Sequence, residues 1–205
     1  MIKIALPKGR IAQESLALFE RLYSGNFVFD DRKLILEHND FTFLLVRSQD
    51  VPTYVFHQAA DVGIVGLDVI EEQEANIVRL LNLGFGKCKV VVGSPVGKSL
   101  DYQKPKLKIA TKMPNITRKY FANKAVSIES LKLYGSIELA PLVGLSDAIV
   151  DIVETGSTMA QNNLKIDEVI MESSAYLVVN NNSFYEKKEQ ILALYNELKK
   201  ITATQ

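Results

Sequence analysis

The segment VDIVETGST, residues 150–158, combines residue types that could bind a phosphate group. Thr155, Gly156, Ser157 and Thr158 follow an apolar run and precede a segment with helical character. Such a turn presents consecutive backbone N–H groups at a helix N-terminus, and its hydroxyls add further donors for an anion. Gly156 permits a positive φ and a close approach of the ligand. The simpler alternative is that Ser157 or Thr158 only caps the following helix.

Two acidic residues that precede this turn restrict the kind of ligand that it can bind. Asp151 and Glu154 would repel a bare phosphate. Carboxylates do, however, accept hydrogen bonds from the hydroxyls of a sugar and bind Mg²⁺ through their oxygens. The pattern acid-x-x-acid-Thr-Gly-Ser-Thr therefore favours a phosphorylated ribose over a free phosphate.

Four cationic side chains are candidates for binding pyrophosphate. Lys8 and Arg10 flank Gly9 directly after the first predicted strand, at the position where α/β proteins place ligands. Arg47 ends another predicted strand, FLLVR, and Arg32 lies in DDRKLIL. The guanidinium fork binds two oxygens at once, which suits pyrophosphate. The alternatives are a solvated turn around Gly9 and surface ion pairs for the two arginines, with these partners: Asp30, Asp31 or Asp50.

Composition excludes several classes of protein. The chain has 205 residues, and its 24 Lys and Arg balance its 24 Asp and Glu, so no global basic field points to nucleic acid or a membrane surface. The N-terminus lacks the apolar region of a signal peptide, and no apolar run approaches the roughly 20 residues that a membrane span needs. We therefore expect a soluble cytoplasmic protein.

Residues suited to metal, disulfide or nucleotide-loop chemistry are few. The single Cys88 excludes an intramolecular disulfide, and His38 and His57 are isolated in the sequence, so we take all three as structural or surface residues. Gly63 and Gly66 in DVGIVGLD permit close packing or the approach of a ligand. Their spacing matches neither GxGxxG nor a P-loop, which argues against both nucleotide-binding folds.

The elements that must position these residues follow an α/β pattern. Short β-rich runs alternate with helical patterns, and the apolar spacing predicts a helix over 11–23. This alternation implies an α/β fold with much parallel strand pairing. The Pro-, Gly- and Lys-containing segment 93–106 breaks the rhythm and indicates a lobe boundary or a surface loop. We place one lobe at 1–90 with 180–205, and a second at 91–179.

The C-terminal segment carries a signal for the start of a helix. Ser183 and Glu186 fit a capping box, Ser-x-x-Glu. Six apolar residues then share one face of the predicted helix: Phe184, Ile191, Leu194, Tyr195, Leu198 and Ile201. This pattern predicts one final helix that packs against the first lobe.

Taken together, the motifs resemble those of the ATP phosphoribosyltransferases, which catalyse the first step of histidine biosynthesis. The resemblance rests on ALPKGRI, RKLIL, VRSQDVPTYV, AADVGIVGLDV, KIATKMPNITRKYF, GSIELAPLVGLSDAIVDIVETGST and SAYLVVN, which span the chain from the first strand to about residue 180. It implies two α/β lobes similar to type II periplasmic binding proteins, with the active site in the cleft. The chain length resembles the short form of the family. That form implies a separate regulatory subunit resembling histidyl-tRNA synthetase, in a hetero-octamer.

The resemblance also implies the reaction and the residues that bind the ribose phosphate. Adenine N1 of ATP attacks C1 of phosphoribosyl pyrophosphate, and Mg-bound pyrophosphate leaves. Residues 154–158 would hold the 5-phosphate, with Asp151 near the ribose hydroxyls. Mg²⁺ is the implied cofactor, bound mainly through the substrate phosphates, with no metal ligand assigned to a side chain.

By the same resemblance, the cations would bind the leaving group. Lys8, Arg10, Arg32 and Arg47 would face the pyrophosphate and the ATP phosphates, where fixed cations stabilise charge on the leaving oxygen. The implied substrate-binding set is completed by two residues of the first lobe: Gly9 and Asp68. No covalent nucleophile is needed, because two bound substrates gain much of the rate from proximity.

Two positions depart from the family pattern, and two other functions remain open. Leu67 stands where Lys or Arg is common and Met113 where an aromatic residue is common, both near the implied ligand edges. A phosphoribosyltransferase with another acceptor base would share the turn, although the common class has adjacent acids before it. A solute-binding module on the same two-lobed fold is the non-enzymatic alternative.

Overall fold

The computed structural model describes residues 1–30, 32–38 and 40–202. Its strands are β1 (Ile2–Pro7), β2 (Ile35–His38), β3 (Phe41–Val46), β4 (Val62–Gly66), β5 (Val78–Asn82), β6 (Cys88–Pro95), β7 (Leu107–Thr111), β8 (Ile128–Lys132), β9 (Ala148–Val153), β10 (Leu164–Ser173) and β11 (Ala175–Val179). Its helices are α1 (Arg10–Tyr23), α2 (Val51–Phe56), α3 (Leu67–Gln73), α4 (Pro114–Asn123), α5 (Leu139–Leu142), α6 (Ser157–Gln161), α7 (Asn181–Glu186) and α8 (Lys188–Thr202). In the part of the chain that is described, no helix is long and apolar enough to cross a membrane.

The chain divides into two compact units. The first unit comprises Met1–Lys87 and Ser174–Gln205, and the second comprises Cys88–Ser173. These boundaries lie a few residues before the predicted ones at 90 and 179. The difference at the second crossing arises because β11 pairs with β4 and β5 in the sheet of the first unit. Residues 93–95 lie in β6, so the segment 93–106 starts as a strand within the second unit.

The sheet of the first unit has the strand order β2-β3-β1-β4-β11-β5. β3, β1 and β4 run parallel, while β2, β11 and β5 are antiparallel to their neighbours. Helix α2 packs so closely on β4 that a Cβ at Gly63 would come within 2.8 Å of Val51 Cγ1 and 2.9 Å of Val55 Cγ2. Gly63 therefore serves close packing, one of the two purposes that the DVGIVGLD pattern allowed.

The sheet of the second unit has the strand order β10-β6-β9-β7-β8. β7 is parallel to both β8 and β9, so the loops after these three strands leave the same edge. β6 and β10 are antiparallel additions on the other side of β9. Apolar side chains on both faces of β6 and β9 are buried, which fixes the strand end that precedes the 155–158 loop.

The C-terminal helices confirm the packing that the sequence predicts but correct its start signal. Ile191, Leu194 and Leu198 of α8 are buried in the core of the first unit. The capping box is wrong, since Ser183 lies inside α7 and the cap is Asn180, whose side chain accepts hydrogen bonds from Asn182 N and Ser183 N. A separate helix, α8, begins at Lys188. The segment predicted as one helix therefore forms two, α7 and α8.

A cluster of polar side chains fastens β10 to the rest of the second unit. Tyr102 donates to Glu168 at 2.5 Å, and Tyr120 and Lys124 also donate to this carboxylate. The Lys124 ammonium lies 5.0 Å from the ring centroid of Tyr120. The hydrogen bonds from Lys124 and the two tyrosines lower the pKa of Glu168 to about 2.

We expect Glu168→Gln to lower the free energy of unfolding by about 1–3 kcal/mol at pH 7, because it removes charge-assisted hydrogen bonds. The folded pKa lies below the ordinary value of 4.5, so the ionised Glu168 stabilises the fold above that value. This contribution is lost as the pH falls through 4.5 toward about 2. Urea unfolding at pH 7 and pH 3 should therefore show a smaller difference between wild type and variant at pH 3.

Glu172→Gln on the same strand is the matched control, since the exposed Glu172 forms a 3.5 Å ion pair with the exposed Lys89. Such a pair contributes about 0–1 kcal/mol. Equal destabilisation by both substitutions would contradict the role given to Glu168.

Candidate active site

A cavity in the second unit gathers the residues that the sequence singled out for phosphate binding. It has a volume of about 410 Å³ and lies beside the loop that follows β9. Its lining is formed by these residues: Lys112, Glu138, Asp151, Ile152, Val153, Glu154, Thr155, Gly156, Ser157, Thr158 and Met159. All six residues predicted from 151–158 to bind substrate are among them. A cavity of this size lies in the range of small-molecule sites.

The 155–158 loop has the backbone that the sequence predicts for a close approach of a ligand. Gly156 has φ +81°, the left-handed conformation, and is the residue before α6. The Thr155 hydroxyl lies 3.0 Å from the Ser157 hydroxyl and 3.4 Å from Ser157 N. Within the described chain no side chain caps α6, so the capping alternative for Ser157 and Thr158 is wrong. The loop donors therefore belong to the lining of the cavity.

Asp151 lies on β9 with most of its surface buried. Its Oδ1 accepts a hydrogen bond of 2.7 Å from Ile152 N and lies 3.1 Å from Lys112 Nζ. Oδ2 has no hydrogen bond to another described residue. One carboxylate oxygen is thus fixed by the protein, and the other remains as an acceptor at the cavity.

Lys112 and Glu138 line the same cavity and were not found from the sequence. Lys112 directly follows β7, and a lysine after a strand has no distinctive pattern when read alone. The usable signal is topological, because β7 and β9 are parallel neighbours with Thr111 opposite Val150. Residues that follow these two strands must therefore meet at one edge.

The first unit brings the four predicted cations to one edge of its own sheet. Lys8 follows β1 and Arg47 follows β3, and these strands are parallel with Pro7 opposite Val46. Arg32 precedes β2, which is antiparallel to β3, so it lies at the same edge. Arg10 begins α1. Ligands of α/β proteins bind at the carboxyl ends of parallel strands, and this edge is that one.

The backbone around Gly9 requires glycine. Gly9 has φ +100° and ψ −150°, a combination essentially restricted to glycine, and a Cβ there would meet no atom within 4 Å. The turn is held by Lys8 N, which donates to Val46 O at 2.8 Å. Conformation rather than space selects glycine here, and Lys8 is left exposed at the strand end.

The ion pairs of these cations differ from the alternatives considered from the sequence. Lys33 rather than Arg32 pairs with Asp30, at 2.8 Å. Asp31 lies outside the described residues. Arg10 Nε lies 3.4 Å from Glu14 Oε1 within α1, a pair between an exposed arginine and a half-buried carboxylate. Arg47 is exposed and forms no ion pair with another described residue, which leaves its guanidinium accessible to an anion.

Three further positions are placed by the structure. Asp68 lies in the first turn of α3 and is buried, at the same edge as Lys8 and Arg47. Met113 is 3% exposed and belongs to the apolar core of the second unit, so it is a packing residue rather than part of a ligand surface. Leu67 begins α3, and its N–H donates to Ser174 O at 3.0 Å.

A larger hollow in the second unit, about 600 Å³, lies at the opposite strand ends. It is lined by Lys108 near the start of β7 and by Asp147 just before β9. Lys104 Nζ lies 2.7 Å from Asp147 Oδ1, so part of its charge is already paired. Because ligands of parallel sheets bind at the carboxyl ends, we place the candidate site at the smaller cavity.

The carboxylates of the cavity suit a metal ion that binds together with the phosphates of a substrate. No group of three or more His, Cys, Asp and Glu that could hold a metal ion occurs within residues 1–30, 32–38 and 40–202. The carboxylates of Asp151, Glu154 and Glu138 do line the 410 Å³ cavity. Mg²⁺ binds commonly through one or two carboxylates together with substrate phosphates, and this donor set fits that mode.

Comparison with known proteins gives consistent matches. The family model described as HisG, ATP phosphoribosyltransferase, matches residues 47–200. The chain is 84% identical over 199 residues to an ATP phosphoribosyltransferase of Helicobacter hepaticus, covering 97% of each chain. Among solved structures it is similar to the ATP phosphoribosyl transferase (HisG:HisZ) complex from Thermotoga maritima, with a TM-score of 0.88, 34% identity and full coverage of both chains.

A more distant likeness concerns the fold alone. The periplasmic aliphatic sulphonate binding protein SsuA from Escherichia coli matches with a TM-score of 0.64 at 11% identity. The match covers 98% of this chain and 72% of that one. The predicted likeness to type II periplasmic binding proteins is therefore confirmed for the two-lobed α/β architecture.

Proposed function

This chain belongs to the ATP phosphoribosyltransferase family, and we propose that the cavity beside its 155–158 loop binds the phosphorylated ribose of the substrate. As a member of this family it is a pentosyltransferase that catalyses the first step of histidine biosynthesis. The observation that carries the site proposal is the joint lining of one cavity by Asp151, Glu154 and the loop donors.

Each part of this cavity suits one part of phosphoribosyl pyrophosphate. The backbone N–H groups and hydroxyls of 155–158 donate to the 5-phosphate, which is an anion with only acceptors. Oδ2 of Asp151 accepts a hydrogen bond from a ribose hydroxyl. Helix α6 has only five residues, so the local donors rather than a helix dipole provide the attraction.

The cations at the edge of the first sheet suit the pyrophosphate and the phosphates of ATP. Negative charge grows on the leaving oxygen as the bond to C1 of the ribose breaks. Lys8, Arg10, Arg32 and Arg47 stabilise that charge, because fixed cations need no reorganisation at the moment of reaction. Gly9 lets the backbone approach the phosphates. Asp68 lies at the same edge of the sheet as these four cations.

Mg²⁺ is the proposed cofactor, and it would be held mainly by the substrate phosphates, with no side chain assigned as its ligand. When bound, it neutralises charge on the leaving pyrophosphate. The protein's own contribution is to hold the ribose phosphate and to supply the cations. Adenine N1 is itself a nucleophile, so no side chain needs to form a covalent intermediate.

We also propose a regulatory partner for this chain. The solved Thermotoga maritima structure is a HisG:HisZ complex, and this chain matches a chain of that complex over the full length of both. A separate subunit resembling histidyl-tRNA synthetase, in a hetero-octamer, is the assembly expected for such a chain. Size-exclusion chromatography with multi-angle scattering of the co-expressed chains measures it directly.

The direct test of activity is release of pyrophosphate from ATP and phosphoribosyl pyrophosphate, with and without the regulatory subunit. We expect release that needs both substrates and a divalent metal. No release under either condition would exclude the transferase function. Tight binding of a small solute without turnover would instead favour a solute-binding module, and release with another base in place of ATP would favour a different acceptor.

A further inference from the structure

We propose that Lys112 is a further substrate-binding residue, which holds Asp151 toward the ribose and offsets the acidic lining so that the 5-phosphate can enter. The inference rests on the proposed function of the same cavity and adds to it a residue and a role.

The charges of the cavity need a compensating cation. Three carboxylates line it, those of Glu138, Asp151 and Glu154, and the 5-phosphate brings further negative charge. Lys112 is the one basic side chain in the lining within the described part of the chain. Asp151 is buried whereas Glu154 is exposed, so water screens the charge of Asp151 least. The Lys112 ammonium is therefore the group that makes an acidic ribose site compatible with a phosphate.

The position of Lys112 is fixed by the buried residue before it. The Thr111 hydroxyl donates to Val150 O at 2.8 Å and accepts from Met113 N at 2.9 Å. The first bond joins the end of β7 to the residue before Asp151. The second fixes Met113, on the other side of Lys112, to Thr111. Thr111 is fully buried, so the ion pair between Lys112 and Asp151 is placed by the core rather than by chance surface contact.

The ammonium group has capacity left for a ligand. Lys112 Nζ lies 3.1 Å from Asp151 Oδ1, and its side chain is 32% exposed. An ammonium carries three N–H donors, and the contact of Lys112 with Asp151 is an ion pair rather than a hydrogen bond. These donors can therefore serve a phosphate oxygen, while Oδ2 of Asp151 can accept from a ribose hydroxyl.

Steady-state kinetics of Lys112→Ala test this role in the full-length chain with its regulatory subunit. We expect KM for phosphoribosyl pyrophosphate to rise about tenfold or more, since one charge-assisted hydrogen bond is lost. We expect kcat and KM for ATP to change by less than about twofold, the split that follows when ground-state binding is removed. Lys112→Arg should recover most of the loss because it keeps the charge.

Lys104→Ala is the matched control. Lys104 pairs with Asp147, just before β9, in the same unit, whereas Lys112 pairs with Asp151 on β9. A merely structural role would lower the thermal midpoint of both variants and leave KM for phosphoribosyl pyrophosphate unchanged. An unchanged KM in Lys112→Ala, or an equal rise in both variants, would overturn the inference.

Binding of ribose 5-phosphate, measured by calorimetry without ATP, separates this inference from the proposed function. We expect binding to wild type and a Kd about tenfold higher for Lys112→Ala. If wild type forms no phosphoribosyl-ATP yet shows this shift, the transferase proposal fails and the role of Lys112 stands. Equal binding to both proteins, or no binding to wild type, contradicts the role of Lys112.

Discussion

Arg32→Ala is expected to lower kcat by about a hundredfold, the usual effect of removing one group that stabilises developing charge. Arg32 precedes β2 at the edge of the first sheet where Lys8 and Arg47 also lie. Charge on pyrophosphate grows only as the bond to the ribose breaks, so the loss should fall mainly on kcat rather than on KM. Single-turnover kinetics with saturating substrates measure the chemical step directly.

Lys33→Ala is the control for this substitution. Lys33 is a neighbouring exposed cation, but its ammonium lies 2.8 Å from Asp30. Its removal should leave kcat close to the wild-type value. If Arg32→Ala turned over at the wild-type rate, Arg32 would have no part in the mechanism, and if Lys33→Ala fell equally, the effect would be one of general surface charge.

Gly156→Val is expected to reduce kcat/KM for phosphoribosyl pyrophosphate by about a hundredfold, because a β-branched residue at positive φ forces the loop to change its backbone. Gly156 has φ +81° and lies between Thr155 and Ser157 in the phosphate-binding turn. A changed backbone moves the N–H donors of the loop away from the 5-phosphate. Initial rates over a range of phosphoribosyl pyrophosphate concentrations give the ratio.

Gly97→Val separates the ligand effect from backbone strain. Gly97 has φ +82°, lies in the same unit outside the cavity, and has no atom within 4 Å of an added Cβ. Both variants should lose similar stability in thermal unfolding. Only Gly156→Val should lose kcat/KM, and a similar loss in both, or in neither, would argue against the loop as the phosphate-binding element.

The loops at strand ends could be predicted from the sequence because each follows a local pattern. The turn at 155–158 comes after a buried strand and contains a glycine that the observed φ requires. Lys8 and Arg47 could be assigned to one sheet edge because strands that alternate with helices along the chain are commonly parallel. The register of β1 with β3 places them there.

The missed residues depend on pairings that local patterns do not contain. Lys112 joins the site only because β7 lies beside β9, a relation between strands about 40 residues apart along the chain. Glu138 reaches the cavity from the turn before α5. The edge strand β10 was not predicted because it mixes buried and exposed side chains through two irregularities in register.

The start of α7 was predicted at the wrong residue, because two residues of the sequence can cap this helix. Ser183 and Glu186 have the spacing of a capping box, yet Asn180 lies three residues earlier and its side chain satisfies two N–H groups of α7. Asn180 also donates to Val55 O at 2.9 Å, a tertiary contact that holds the cap in place. A sequence pattern cannot rank two good caps without that contact.

The most direct test of the central claim is the identity of the bond that the enzyme forms. ATP labelled with ¹⁵N at adenine N1 and phosphoribosyl pyrophosphate labelled with ¹³C at C1 are incubated with the enzyme, its regulatory subunit and Mg²⁺, and the product is observed by NMR. We expect a coupling between ¹⁵N1 and ¹³C1 that grows in step with the pyrophosphate released. Release of pyrophosphate with the ¹³C label recovered as ribose 5-phosphate, and no such coupling, would contradict that claim.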